Sequence, residues 1–250
     1  MTDTSVDVVA DLPETLILWD VDNTLIDNGG VSKETYALAF KLLTGQPALV
    51  RPATDGRTDF QIMRELLSAN SVDTEKYVDI KQFERVLVEA MGRNTPHLSR
   101  RGHVLPGVID ALRALSTVPT VIQSVLTGNI ANNAREKLGA FNLDTWFDLD
   151  IGGFGSDDKV RSNLVNAARR KVSTKFDIQF DRSSTILIGD TLLDIKAAHD
   201  GGAKILAVAT GVHSTTQLAE AGADVVLDTL ADLDRFLTAL VDLRTNTTSG

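Results

Sequence analysis

The chain has 250 residues, 43% apolar and 24% charged, with a net charge of −9 and no cysteine. That is enough for one large domain or a domain with a smaller companion, at an ordinary globular balance. The acidic surplus argues against nucleic acid as the main partner, because neutralising phosphates needs clustered Lys and Arg. The lack of cysteine removes thiol catalysis, thiolate metal sites and disulfides, and it fits a reducing cytoplasm. No apolar run nears the ~20 residues that span a bilayer. The acidic stretch 1–13 lacks the basic and apolar regions of a signal peptide. A cytoplasmic protein without membrane partners is expected.

In chain order, the first signal is Leu16-Ile17-Leu18-Trp19 running into Asp20-Val21-Asp22-Asn23-Thr24-Leu25. A short continuous apolar run reads as a buried parallel strand covered on both faces. Alternate strand residues share a side, so Asp20 and Asp22 can face one site. Two carboxylates that close repel unless a cation or a shared proton relieves them. The competing reading is a turn, since Asp, Asn and Thr bond to their own backbone.

Asp27-Asn28-Gly29-Gly30 is a turn and hinge. A helical block follows. Ser32 is expected to cap a helix through Tyr36, Phe40 and Leu43, ending at Gly45 and Pro47. A second helix follows Thr58-Asp59, and a third covers about 73–91. Some 60 helical residues are too many for an ordinary connection. The polar, basic run Asn94 to His103 around Pro96 reads as the returning linker. The expected organisation is core over 14–30, a helical cap over 31–93, a hinge linker over 94–105, core over 106–243 and a polar tail over 244–250.

From Pro106 strands and helices alternate. Strands are expected at 120–126, 147–151, 185–188, 204–209 and 224–227. Helices are expected at 107–115, 130–138, 162–172, 192–199, 215–221 and 230–243. This pattern predicts an α/β fold, a doubly wound parallel sheet whose ligands bind at the carboxyl ends of the strands.

The chemistry-bearing residues fall at those ends. Thr127-Gly128-Asn129 precedes a helix and can seat an oxyanion, or serve simply as an N-cap turn. Gly189-Asp190-Thr191-Leu192-Leu193-Asp194 sets two carboxylates one turn apart, suited to a hard divalent cation or to capping. The glycine-rich loop Gly152 to Arg161 ends in Lys159 and Arg161, which oppose a helix dipole unless an anion binds there.

These four motifs, in this order, resemble those of the haloacid dehalogenase-like (HAD) hydrolase superfamily, over residues 16 to about 240. The helical block resembles the family's C1 cap, and Asp55-Gly56-Arg57-Thr58-Asp59 resembles a turn of the phosphoglycolate phosphatase-like branch. The resemblance implies a Rossmann-like core and a Mg²⁺-dependent phosphatase acting on a small phosphorylated metabolite. Asp20 would be the nucleophile that becomes an aspartyl-phosphate, and Asp22 the proton shuttle. Mg²⁺ would bind Asp20, the backbone carbonyl of Asp22 and Asp190, with Asp194 assisting. Thr127, Gly128 and Asn129 would hold the phosphoryl group, and Arg57 could meet the substrate. The third-motif cation could be Lys159 or Arg161, because the family's usual Lys-Pro start is absent: counting back from Leu164-Val165 puts Lys159 in the lysine's position, whereas the resemblance to sequences with a Gly-Ser-Asp loop implies an Arg placed like Arg161 and leans slightly that way. A β-phosphoglucomutase-like phosphotransferase and a non-catalytic phosphate-binding regulator are the alternatives. A monomer and a homodimer fit equally.

Overall fold

In the computed structural model, residues 9, 12–77 and 79–245 are described. The start of the chain and most of the 244–250 tail lie outside them.

Strand β1 (Thr15–Trp19) is buried along its whole length. Its side chains alternate between two cores. Ile17 and Trp19 enter one cluster, while Leu16 and Leu18 enter the other. An uninterrupted apolar run is what a strand covered on both faces requires. Around it lie β4 (Val121–Thr127), β5 (Gly153–Phe154), β6 (Thr185–Gly189), β7 (Lys204–Val208) and β8 (Val225–Leu227). They form a six-stranded sheet of order β5-β4-β1-β6-β7-β8, parallel at every pairing.

One face is covered by α4 (Val108–Ser116), α5 (Ala131–Gly139) and α9 (Leu233–Thr245). The other carries α6 (Asn163–Phe176), α7 (Leu192–Gly201) and α8 (Thr215–Glu220). The fold is the expected doubly wound α/β sheet. Because β4 and β6 flank β1 on opposite sides, the crevice of such a sheet opens at the carboxyl end of β1.

The cap consists of α1 (Val31–Thr44), α2 (Asp59–Ala69) and α3 (Ile80–Arg101), with a 3₁₀ turn at Thr74–Lys76. Tyr36, Phe40, Phe60, Met63, Phe83 and Leu87 form its own core, joined by Ile130 from the sheet domain. No helix among the described residues is long and apolar enough to cross a membrane.

Three local expectations fail. Helix α1 starts at Val31 behind Gly30 in the left-handed region (φ 81°), and Ser32 does not cap it. The residues 94–101, read as linker, are the last turns of α3, with Pro96 inside the helix. A proline there forfeits one hydrogen bond, but Leu98 is buried against Val31 and Met91, and Arg101 forks onto Glu34 at 2.7 Å through both terminal nitrogens. The hinge therefore shrinks to β2 (Ile26–Asp27) paired antiparallel with β3 (His103–Val104). Finally, 147–151 is irregular, and the fifth strand is Gly153–Phe154 beside Leu126 and Thr127. Phe147, Leu149 and Ile151 alternate because they plug the core; alternation reports burial, and it does not require a ladder.

Candidate active site

Trp19 pairs with Val125 on one side and Ile188 on the other, and the Asp20 N–H donates to the Ile188 carbonyl at 2.8 Å. This register carries the Asp20 side chain just past the sheet, level with the tips of β4 and β6. Thr127 closes β4, and Asp190 follows β6. Asn23 then takes a left-handed turn (φ 58°), which asparagine tolerates better than most residues, and the chain reverses into β2.

Asp20, Asp190 and Asp194 converge, each with a carboxylate oxygen within 4.8 Å of the others. All are buried. Arg161 Nη2 lies 2.9 Å from Asp20 Oδ1 and 2.5 Å from Asp194 Oδ1. Burial pushes the Asp20 carboxyl up to about 7 against the pull of Arg161, and the charges of Asp194 and Asp22 push the same way. Asp190 is driven well above the carboxylate range by burial and by Asp194 and Asp20. Its Oδ1 accepts from Thr24 Oγ1 at 3.1 Å, whereas Oδ2 is buried with no hydrogen-bond partner. An orphaned carboxylate oxygen between two other acids is a fitting donor set for a hard divalent cation. Asp194 is more occupied. Its Oδ2 accepts from the Thr191 N–H and hydroxyl at 3.0 and 2.7 Å in a capping box.

Asp22 sits in different company. Oδ2 accepts from Lys137 Nζ at 2.6 Å and Asn129 Nδ2 at 2.9 Å. Oδ1 accepts from Asn28 Nδ2 at 2.7 Å and Ser32 Oγ at 3.3 Å. Burial alone would raise this carboxyl, but the Lys137 ammonium and the donors Asn129 and Asn28 outweigh it and hold it below its ordinary value. Two carboxylates two residues apart are thus pushed in opposite directions by their surroundings.

The cap closes over this crevice. The Asp59 N–H donates to the Gly128 carbonyl at 2.8 Å, and the Ile130 N–H donates to Asp59 Oδ2 at 2.9 Å. Tyr36 OH completes the buried Asp59 at 2.6 Å. The approach needs glycine on both sides: a Cβ at Gly128 would stand 2.0 Å from the Arg57 carbonyl oxygen, and one at Gly56 2.5 Å from Thr191 Oγ1. Beneath lies a chamber of about 430 Å³, including its mouth, lined by Asp20, Asp22, Thr127, Gly128, Asn129 and Arg161 from the core and by Ser32, Tyr36 and Arg57 from the cap.

Arg161, and not Lys159, enters this chamber. Lys159 is exposed, and its carbonyl accepts from Thr58 Oγ1 of the cap at 3.3 Å. Arg57 lines the chamber, but its Nε turns to Glu65 at 3.1–3.2 Å. Sequence reading missed Lys137, Asn28, Ser32 and Tyr36. For Lys137 a signal existed: it lies three residues after the inward Ala134 and next to the inward Leu138, so helical phase alone buries it.

A parallel sheet with paired carboxylates, a buried cation and a hydroxyl at its strand ends is suited to phosphoryl transfer. The family model described as HAD-hydrolase-like matches residues 159–233. A probable phosphatase, IndB of Dickeya dadantii, is 26% identical over 94% of this chain and 98% of its own. A phosphoglycolate phosphatase of Nitrosococcus oceani is 25% identical over 89% and 96%. The crystal structure of a predicted phosphoglycolate phosphatase from Haemophilus somnus superposes with a TM-score of 0.63 at 19% identity, over 90% and 97%. The chain is thus similar to haloacid dehalogenase-like hydrolases, and its enzyme class is phosphatase.

Proposed function

We propose that the protein is a Mg²⁺-dependent phosphatase that hydrolyses a small phosphorylated metabolite through an aspartyl-phosphate on Asp20. The observation that supports this most is the meeting of Asp20 with Asp190, Asp194 and Arg161 at the chamber floor, where Asp190 Oδ2 has no protein partner. An oxygen of Asp20 attacks phosphorus while the bond to the leaving oxygen breaks, and Asp22 delivers a proton to that oxygen. Asp22 then takes a proton from water, whose oxygen attacks phosphorus and frees Asp20. Thr127 and the Gly128 N–H hold phosphoryl oxygens, and Arg161 balances their charge. Mg²⁺ would be held by Asp20, Asp190 and the Asp22 carbonyl, with Asp194 assisting, and supplies positive charge that lets a carboxylate approach a phosphate.

The chamber is narrow and lined by polar side chains and glycines, which favours a small, charged substrate. The cysteine-free sequence fits a cytoplasmic setting.

The test is hydrolysis of 4-nitrophenyl phosphate with Mg²⁺ and with EDTA, together with acid-quenched trapping of the phosphoenzyme. Turnover should need the metal. D20N should lose at least about 10³-fold in kcat and form no phosphoenzyme. Turnover that survives EDTA or D20N rejects the mechanism.

A further inference from the structure

Lys137 is the largest polar side chain among the fully buried ones, at 1% exposure. Lysine is almost never fully buried unless paired. Its hydrogen-bond partners are both site residues: Asp22 Oδ2 at 2.6 Å and Asn129 Oδ1 at 2.8 Å. Asn129 in turn donates to Thr127 Oγ1 at 2.8 Å. Stability alone is a poor reason for such a lysine, because a buried ion pair is often matched or bettered by apolar packing of similar volume.

The donors around Asp22 divide by origin. Those on Oδ1 come from the hinge and cap: Asn28 precedes α1, and Ser32 lies within it. Those on Oδ2 come from the core: Asn129 follows β4, and Lys137 sits on α5. A cap that opens takes its donors with it, whereas the core donors stay.

From this division, and resting on the phosphatase reading above, the geometry points to Lys137 as the positioning residue for the proton shuttle. Lys137 and Asn129 pin Oδ2 from the core, and that leaves Oδ1, where a leaving-group oxygen can replace the contacts from Asn28 and Ser32, as the oxygen that exchanges a proton. Lys137 touches neither phosphate nor nucleophile in this role; it acts through Asp22.

The role predicts a leaving-group signature that general destabilisation cannot imitate. The value of kcat/KM stops at phosphorylation of Asp20, so it senses Asp22 as acid and not as base. A good leaving group needs little protonation, whereas a poor one needs it fully. Wild type, K137M, K137R, D22N and K137M/D22N are compared on 4-nitrophenyl phosphate and phenyl phosphate with saturating Mg²⁺. K137M should lose on the order of 10- to 100-fold in kcat/KM on phenyl phosphate, but less than about threefold on 4-nitrophenyl phosphate. K137R should recover part of the difference, and K137M should cost nothing more in the D22N background. Retained activity on 4-nitrophenyl phosphate also reports that the variant is folded. Should K137M fail to fold, K137Q, which keeps one donor, carries the same comparison. Equal losses on both esters, or additivity with D22N, overturn the assignment. Absence of Mg²⁺-dependent turnover in the wild type would instead reject the phosphatase reading beneath it.

Discussion

The floor and the roof of the chamber are built on opposite plans. On the floor, Asp20, Thr127, Arg161, Asp190 and Asp194 are all buried, fixed at or just beyond the tips of β1, β4 and β6 or at the start of α6 and α7. Their charges are matched only in part within the floor: one guanidinium spans Asp20 and Asp194, and Asp190 has no ion-pair partner among the described residues. The roof offers Ser32, Tyr36, Asp55 and Arg57, polar groups on cap helices and turns, anchored to the floor through Asp59 and close backbone contact. Preorganised charge belongs where bonds are broken, because it then costs no reorganisation during reaction. Groups that meet a substrate and release a product need freedom to move, and a cap on two short strands provides it. On the proposed function, chemistry is concentrated in the floor and selection in the roof, and substitutions in each should differ in size and kind.

The largest effect is expected from the floor cation. R161A removes the only cation that touches Asp20 among the described residues, so kcat should fall by roughly several hundredfold with a smaller change in KM. K159A, two residues before the cation that has the site, should stay within about twofold. Steady-state kinetics on 4-nitrophenyl phosphate measure both. A reversed order would mean that Lys159 swings inward when substrate binds, and the floor would not be preorganised.

The roof's anchor should show in stability. Burial pushes the Asp59 carboxyl up to about 6, against the hydrogen bonds from Tyr36 and Ile130 N–H and the Lys137 charge, with Asp22 adding to the rise. A carboxyl that binds its proton more tightly when folded contributes fully below its unfolded value of about 3.9, and loses that contribution as the pH rises through about 6. The whole span is worth up to roughly 3 kcal/mol. D59N lacks this titration. The stability gap between wild type and D59N, from urea unfolding at a series of pH values, should therefore move in favour of D59N between about pH 4 and 6. Parallel curves would mean that Asp59 is ionised throughout and the latch is a plain ion–dipole contact.

The same division explains what could be read from the sequence. The floor was legible because each part is local: an apolar strand, then one or two polar residues at its tip, as in Trp19-Asp20 and Gly189-Asp190. Burial on both faces makes such strands conspicuous, and the sheet then brings their ends together. The partners of Asp22 were not legible, because each depends on a relation between elements. Lys137 reaches Asp22 only through the phase and tilt of α5, and Ser32 only because the hinge folds back. The length of α3 was misjudged for a similar reason. Pro96 announces a break locally, while the burial of Leu98 against Val31, which overrides it, is a tertiary fact.

The smallest expected effect is at Arg57, and it tests whether the roof selects by charge. By the sequence resemblance this guanidinium could meet the substrate; the closed cap turns it to Glu65 at 3.1 Å, with the two side chains 33% and 55% exposed. A pair that open to solvent is worth at most about 1 kcal/mol, so a ligand carboxylate could compete for it, but nothing in the closed chamber compels it. With Arg161 engaged by Asp20 and Asp194, the chamber then holds no uncommitted cation among the described lining residues. R57A should accordingly change kcat/KM by less than about threefold on 4-nitrophenyl phosphate and on 2-phosphoglycolate alike. E65A should raise the preference for 2-phosphoglycolate by a few-fold by releasing the guanidinium. If R57A instead loses tenfold or more on 2-phosphoglycolate alone, Arg57 leaves Glu65 in the working enzyme, and the roof contributes charge as well as shape.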